Sequence, residues 1–224
     1  MLHLLFNNMA LVVFDLDDTL ISGDSEGAWV QFILNKGIVK EKDFDKNLKK
    51  FESDYRNGNL HVDAYIKFLL QPLAGISELE VKALAKEFSY QVIKEYKDSL
   101  TEKLLFKHSK DICIIVSGTL DFLVSEISSL LGIKKNIATL VEVKDGYYTG
   151  ELIGRPNFGE QKVLRLKEWL KHESMIDTAG LFAYSDSIHD LPLLEFSDNP
   201  FAVSPDKKLR EISIKRNWPI LERK

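Results

Sequence analysis

Between Leu11 and Leu20 the chain reads LVVFDLDDTL, and no other stretch constrains the fold as strongly. Leu11 to Phe14 is a short unbroken apolar run, the pattern of a strand buried on both faces. Three aspartates follow, Asp15, Asp17 and Asp18. Asp15 and Asp17 are offset by two, so both can point towards one opening past the strand end. Negative charge gathered in this way is unfavourable unless a proton is retained or a cation shares the site. A hard divalent ion with oxygen ligands answers the problem, and Mg²⁺ fits best. The plainer alternative is a turn or a helix N-cap, where aspartates after strands often serve.

Residues 24–97 carry helical patterns only. Trp29, Phe32 and Ile33 fall at helical spacing within Asp24 to Asn35, with Asp24 or Ser25 as N-cap. Lys40 to Arg56 is a charged helical stretch with a solvated face, ended by Asn57-Gly58-Asn59. His61 to Leu70 stops at Gln71-Pro72, and Ser77 to Tyr96 opens on a capping-box pattern, Ser77-Glu78-Leu79-Glu80. So long a helical stretch exceeds an ordinary connection. It predicts an inserted helical domain over residues 24–97, with residues 1–23 and 98–224 forming an α/β domain. Extra helices packed on the sheet are the alternative.

Beyond it, strand and helix patterns alternate. Asp111 to Val116 reads as a strand ending in Ser117-Gly118-Thr119, followed by a helix with Phe122, Leu123 and Ile127 on one face. Ile137 to Val143 reads as a strand, Lys144-Asp145-Gly146 as a hairpin turn and Tyr147 to Leu152 as the return strand. Glu160 to Lys171 is an amphipathic helix with Lys162 in its first turn. Leu181 to Tyr184 is a buried strand running into Ser185-Asp186-Ser187, with Asp190 four residues past Asp186. Phe201 to Val203 and a helix from Pro205 complete the pattern. The alternation predicts a doubly wound, mostly parallel sheet whose ligands gather at the carboxyl ends of its strands. Asp15, Asp17, Ser117, Asp186 and Asp190 all fall on that edge.

Composition narrows the partners. A net charge of −4 gives no electrostatic reason to expect nucleic acid. No apolar run reaches the ~20 residues needed to cross a bilayer, so no membrane partner is expected. The single cysteine, Cys113, lies in an apolar run as a buried thiol. It leaves no intrachain disulfide to form, which favours a reducing cytosol and a cytoplasmic protein. The first residues lack the basic n-region and small-residue cleavage site of a signal peptide, and Met9 is an alternative start. A monomer or homodimer is expected.

The edge residues have a common use. Carboxylates from two strands could share one Mg²⁺ that keeps a position for a phosphate oxygen. Ser117 offers a hydroxyl and Lys162 a fixed positive charge. A carboxylate can attack phosphorus only when repulsion between the two anions is relieved, and a metal and a lysine do that. A second carboxylate can protonate the leaving alkoxide and later activate water.

DLDDT, SGT, the lysine of GEQK and YSDSIHD, in this order, resemble the four motifs of the haloacid dehalogenase superfamily. More narrowly they resemble the branch containing phosphoserine phosphatase, which carries a helical cap after the first motif. The resemblance implies an Mg²⁺-dependent phosphatase. Asp15 would be the nucleophile that forms an aspartyl-phosphate. Asp17 would be the general acid/base, its carbonyl also on the metal. Ser117 and Gly118 would bind phosphate, and Lys162 would neutralise the nucleophile and phosphoryl oxygens. Asp186 would ligate Mg²⁺ directly, and Asp190 would hold a metal-bound water or orient Lys162. Asp24 stands where phosphoserine phosphatases carry a glutamate facing the substrate amine. His189 stands where they usually carry asparagine, and could donate to phosphate or be an exposed loop residue. Ser-Asp-Ser replaces the more common Gly-Asp-Gly. The substrate-carboxylate arginine of the cap has no clear counterpart, Arg56 and Arg155 being the candidates.

Three functions follow as expectations. The first is hydrolysis of a small phosphate monoester, with phosphoserine and histidinol phosphate as leading candidates. The second is phosphoryl transfer to an acceptor other than water, and the third a non-catalytic phosphate-binding module.

Overall fold

Leu11–Phe14 form β1, the central strand of the molecule. Val12 and Phe14 are buried in one apolar cluster and Leu11 and Val13 in another, one on each face. Fully burying a side chain of this size contributes about 1.5–3 kcal/mol, so the unbroken apolar run is explained by the two-faced core. The computed structural model describes residues 9–40, 43–56, 59, 61–173 and 180–223, with the main chain alone at 45, 52, 55 and 56. The eight residues ahead of the alternative start Met9, Asn57-Gly58 and the Arg56 side chain lie outside the described residues.

After β1 come α1 (Ser25–Asn35), α2 (Phe44–Arg56), α3 (Val62–Leu70), α4 (Glu78–Tyr96) and α5 (Ser99–Lys107). β2 (Ile112–Leu120), α6 (Asp121–Leu130), β3 (Lys135–Thr139) and the hairpin β4 (Val141–Lys144) and β5 (Tyr147–Leu152) follow. The chain ends with α7 (Glu160–His172), β6 (Leu181–Ser185), α8 (Leu191–Phe196), β7 (Asn199–Val203), α9 (Lys207–Lys215) and β8 (Ile220–Leu221). The main sheet runs β3-β2-β1-β6-β7-β8, and all its pairings are parallel. From β1 the chain winds outwards through β2 and β3, then returns to β6 and winds the other way. The order therefore reverses at β1 and β6, where open α/β sheets bind ligands. Phe14 pairs with Ile115 of β2 and Tyr184 of β6, so Asp15, Ser117 and Asp186 all emerge within two residues of that line.

The helical stretch 24–97 is not separated from the sheet by solvent. Trp29 of α1 contacts Phe88 of α4 and Phe122 of α6, ring centroids 5.3 and 5.5 Å apart. Phe122 in turn meets Tyr148 of β5 at 5.6 Å. The hairpin adds main-chain bonds: Gly75 N donates to Tyr148 O at 2.8 Å and Tyr148 N to Ile76 O at 2.9 Å. α1, α2, α3 and α4 thus all share one apolar cluster with the sheet, and α2 and α3 also line the cavity at its carboxyl edge.

Four elements differ from the sequence reading, the last being β8, which pairs with β7 after the terminal helix. The strand expected over Ile137 to Val143 is two strands. The Thr139 hydroxyl donates to Gly118 O and accepts from Asn157 N, holding β3 to the sheet, and the chain leaves at Leu140 to build the hairpin. β2 runs on through Ser117-Gly118-Thr119 to Leu120. α5 was not anticipated, although its N-cap is readable: Asp98 accepts from Leu100 N and Thr101 N, both at 2.9 Å. The single cysteine, Cys113, is half-buried. No helix among the described residues is long and apolar enough to cross a membrane.

Candidate active site

Past Phe14 the chain makes one wide turn, closed by Ile21 N donating to Leu16 O at 3.0 Å. Inside it Asp18 takes a φ of +51°, a left-handed conformation that aspartate tolerates better than most residues. The turn presents Asp15 and Asp17 to one cavity and keeps Leu16 and Leu20 in the core. Thr19 ties the turn to β6. Its Oγ1 lies 3.1 Å from Asp15 Oδ2 and 2.9 Å from Asp186 Oδ1, and accepts from Asp186 N at 2.9 Å. The two carboxylates therefore flank a single hydroxyl that can donate to only one of them at a time.

Lys162 enters from the first turn of α7. Its side chain is 5% exposed, and Nζ lies 2.8 Å from Asp15 Oδ1 and 2.7 Å from Asp190 Oδ2. Ser185 Oγ donates to the same Asp190 oxygen at 2.7 Å. Asp190 thus orients Lys162, which Gly159 helps to deliver by starting α7 from a φ of +56°. Burial alone would lower the Lys162 ammonium, but Asp15 and Asp190 outweigh it and raise it above its ordinary range.

On the β2 side, Ser117 Oγ accepts from Thr119 N at 3.1 Å. Asn157 Nδ2 donates to Ser117 O at 2.9 Å and to Ile137 O at 3.1 Å, fixing the strand end from behind. Thr119 Oγ1 donates to Asp17 Oδ2 at 2.7 Å, and Ser25 N donates to Asp17 Oδ1 at 2.7 Å. Asp17 is therefore oriented by both β2 and the first residue of α1.

Asp15, Asp17, Ser117, Thr119, Lys162 and Asp190 line one cavity of about 500 Å³ together with Gly118, Asp186, Ser187, Pro156 and Phe158. Its opposite wall is helical: Phe51 from α2, Val62, Tyr65 and Ile66 from α3, and Asp24 and Glu26 at the start of α1. His189 lines it too, its ring 4.8 Å from that of Phe158, and burial pushes its imidazole down. Asp24 caps α1, Oδ1 accepting from Glu26 N at 3.0 Å and Gly27 N at 2.9 Å. Arg155 is exposed and does not line the cavity. Sequence reasoning passed over Thr19, Thr119 and Glu26. The two threonines are visible in DLDDT and SGT, but nothing in a sequence marks a hydroxyl as a bridge between strands.

Residues 12–195 match the family model of haloacid dehalogenase-like hydrolases. The chain belongs to that family. Over 216 residues it is 38% identical to a histidinol-phosphatase from Neisseria meningitidis serogroup C (strain 8013), covering 94% of this chain and 97% of that one. A crystal structure of a protein of unknown function from Bordetella pertussis Tohama I superposes with a TM-score of 0.88 at 33% identity, covering 96% of this chain and 98% of that one. A substrate-bound phosphoserine phosphatase shares the fold at a TM-score of 0.63 and 20% identity, over 96% of this chain and 93% of that one. Family and relatives together make this chain a phosphatase.

Charge at the site is poorly balanced by the protein itself. Burial pushes Asp15 up to about 6, although Lys162 pulls it down. Burial, then the charge of Asp24, pushes Asp17 up to about 7. Burial, then the charge of Asp15, pushes Asp186 up to about 8. Among the described residues no three acidic, histidine or cysteine side chains converge on one point. The two carboxylates that flank Thr19 Oγ1, Asp15 and Asp186, nonetheless fit Mg²⁺, which takes one or two carboxylates and keeps several waters. Asp15 and Asp186 would hold it, with the carbonyl of Asp17.

Proposed function

We propose that this phosphatase hydrolyses monoesters of small phosphorylated metabolites through a phosphorylated Asp15, with Mg²⁺ as cofactor. One observation carries the reading: the buried Lys162 ammonium lies within 2.8 Å of Asp15, on the cavity that Ser117 and Asp186 also line. When bound, the ion supplies positive charge that lets two anions approach.

The protein's own groups account for the remaining chemistry. A carboxylate oxygen of Asp15 attacks phosphorus and the ester P–O bond breaks. The leaving oxygen takes the proton of Asp17, whose raised position keeps it partly protonated near neutrality. Ser117 and the main chain at Gly118 hold phosphoryl oxygens, and Lys162 offsets their charge. Asp17, now a carboxylate, takes a proton from water. The water oxygen attacks phosphorus, the aspartyl P–O bond breaks, and Asp15 is regenerated with release of phosphate. Residues 24–97 act as the cap over this reaction. A single cysteine, unable to form an intrachain disulfide, is in keeping with a cytoplasmic enzyme.

For the substrate we favour an amino-bearing ester without a carboxylate, of which histidinol phosphate is one, over phosphoserine. Among the described residues lining the cavity, Lys162 supplies the only ammonium or guanidinium, and Asp15 and Asp190 already hold it. A substrate carboxylate would meet Asp24 and Glu26 instead. The relative named for histidinol phosphate supports this choice. The test is phosphate release from histidinol phosphate and phosphoserine, with Mg²⁺ and with chelator. Turnover should need Mg²⁺ and favour histidinol phosphate. Equal rates with chelator would refute the cofactor, and a preference for phosphoserine would refute the substrate.

A further inference from the structure

Glu26 takes no part in the chemistry above, yet it is an expensive residue to keep. It lies in the first turn of α1 on the cavity wall, and its Oε1 is shut away from solvent without a hydrogen-bond partner among the described residues. A buried carboxylate oxygen left unanswered costs more than any ordinary polar group. Its neighbours make matters worse. Burial, then the charges of Asp24 and Asp17, push Glu26 well above the usual carboxylate range, and a hydrogen bond from Tyr65 only partly offsets them. N-capping does not explain it, because Asp24 already accepts from the amides of Glu26 and Gly27. The residue before it, Ser25, donates to Asp17, so Glu26 stands next to the anchor of the proposed proton donor. Tyr65 and Phe51, 5.5 Å apart, form an aromatic wall on the same side of the cavity.

We propose that Glu26 is a specificity-determining residue, whose carboxylate pairs with a cationic group carried by the leaving alcohol, an ammonium or an imidazolium, seated against Tyr65 and Phe51. This rests on the phosphatase reading and deepens it. The phosphoryl group lies at the sheet edge and the leaving oxygen beside Asp17. The cation then reaches the α1 side of the cavity, where its charge answers the unpaired oxygen and the aromatic faces attract it further. Asp24, more exposed and tied to α1 as its cap, supports the field there but does not make the contact.

The test compares histidinol phosphate with 4-nitrophenyl phosphate, which has no cation, in the wild-type protein and in Glu26→Gln, Glu26→Asp and Asp24→Asn, all with Mg²⁺. Glu26→Gln should lower kcat/KM for histidinol phosphate about 10- to 100-fold, mainly through KM, and change that for 4-nitrophenyl phosphate less than threefold. Glu26→Asp should recover part of the loss. Asp24→Asn should discriminate between the two esters less than Glu26→Gln does. Equal losses on both esters, or no loss on histidinol phosphate, would overturn the assignment. Should Glu26→Gln fold poorly, Glu26→Asp decides, by whether the two esters separate. If the wild-type protein hydrolyses neither ester, it is the phosphatase reading that fails, not the role of Glu26.

Discussion

The two walls of the cavity are built on opposite terms. On the sheet wall, Asp15, Asp17, Asp186 and Asp190 each meet a hydroxyl, an amide or an ammonium within 3.1 Å. On the helical wall, Phe51, Val62, Tyr65 and Ile66 present apolar surface, and Glu26 keeps one oxygen, Oε1, without a hydrogen-bond partner among the described residues. The first wall is preorganised for one charge distribution, as catalysis by electrostatic stabilisation requires. The second is unfinished until a ligand arrives. The difference teaches where reaction and selectivity reside. On the proposed reading, chemistry is fixed by strands locked in register, and choice of substrate by helices laid over them.

Substitutions should sort by wall. The largest effect belongs to Asp15→Asn, which should lower kcat by about 10⁴-fold or more on every ester while leaving circular dichroism unchanged. Lys162→Met comes next. It leaves Asp15 and Asp190 buried without their partner, which should cost about 3–5 kcal/mol in denaturant unfolding, and kcat should fall about 100-fold or more. A Lys162→Met protein as stable as the wild type would mean that the sheet wall is not locked as described. Phe51→Ala should do the reverse, raising KM about tenfold for an apolar or cationic leaving group with kcat nearly unchanged. A fall in kcat with KM unchanged would erase the distinction between the walls.

The smallest effect is in stability against pH. Burial, together with the neighbouring carboxylates, raises Asp15, Asp17 and Asp186 above their ordinary 3.8 in the folded protein. Between the ordinary value and the raised ones the folded state holds protons that the unfolded chain has released. Stability present below about pH 4 is therefore lost as pH rises through about 8. Without metal, Tm should fall by several degrees from pH 5 to 8.5, and Asp186→Asn should flatten that slope. Mg²⁺ should raise Tm most at the alkaline end, where the carboxylates are charged. A metal-free Tm that rises over this range would contradict the crowding at the sheet wall.

The same contrast explains what the sequence disclosed. β1 was legible because a strand buried on both faces must be apolar throughout, and Leu11 to Phe14 are. Asp15, Ser117, Lys162 and Asp186 were legible because the pattern puts each at or past the end of an apolar strand or at the opening of a helix, and a doubly wound sheet brings such positions to one edge. Lys162 by position is an ordinary helix lysine; its partners Asp15 and Asp190 are 147 and 28 residues away, which no local pattern encodes. Glu26 escaped because, in sequence, a glutamate in the first turn of a helix is a routine complement to the helix dipole. Its setting on the cavity comes from long-range neighbours such as Tyr65 of α3, which hydrogen-bonds it. The split at Leu140 escaped because Thr139 is pinned by Gly118 and Asn157, contacts set by tertiary structure.

The central claim is that the phosphoryl group passes through Asp15, and trapping it there tests this most directly. The enzyme is mixed with Mg²⁺ and substrate, quenched in acid, reduced with borohydride and digested for mass spectrometry. Reduction of an aspartyl-phosphate yields homoserine, so the account predicts homoserine at position 15 in the wild-type protein and none in Asp15→Asn. Full turnover with no homoserine at 15, or with the label on another residue, would contradict it.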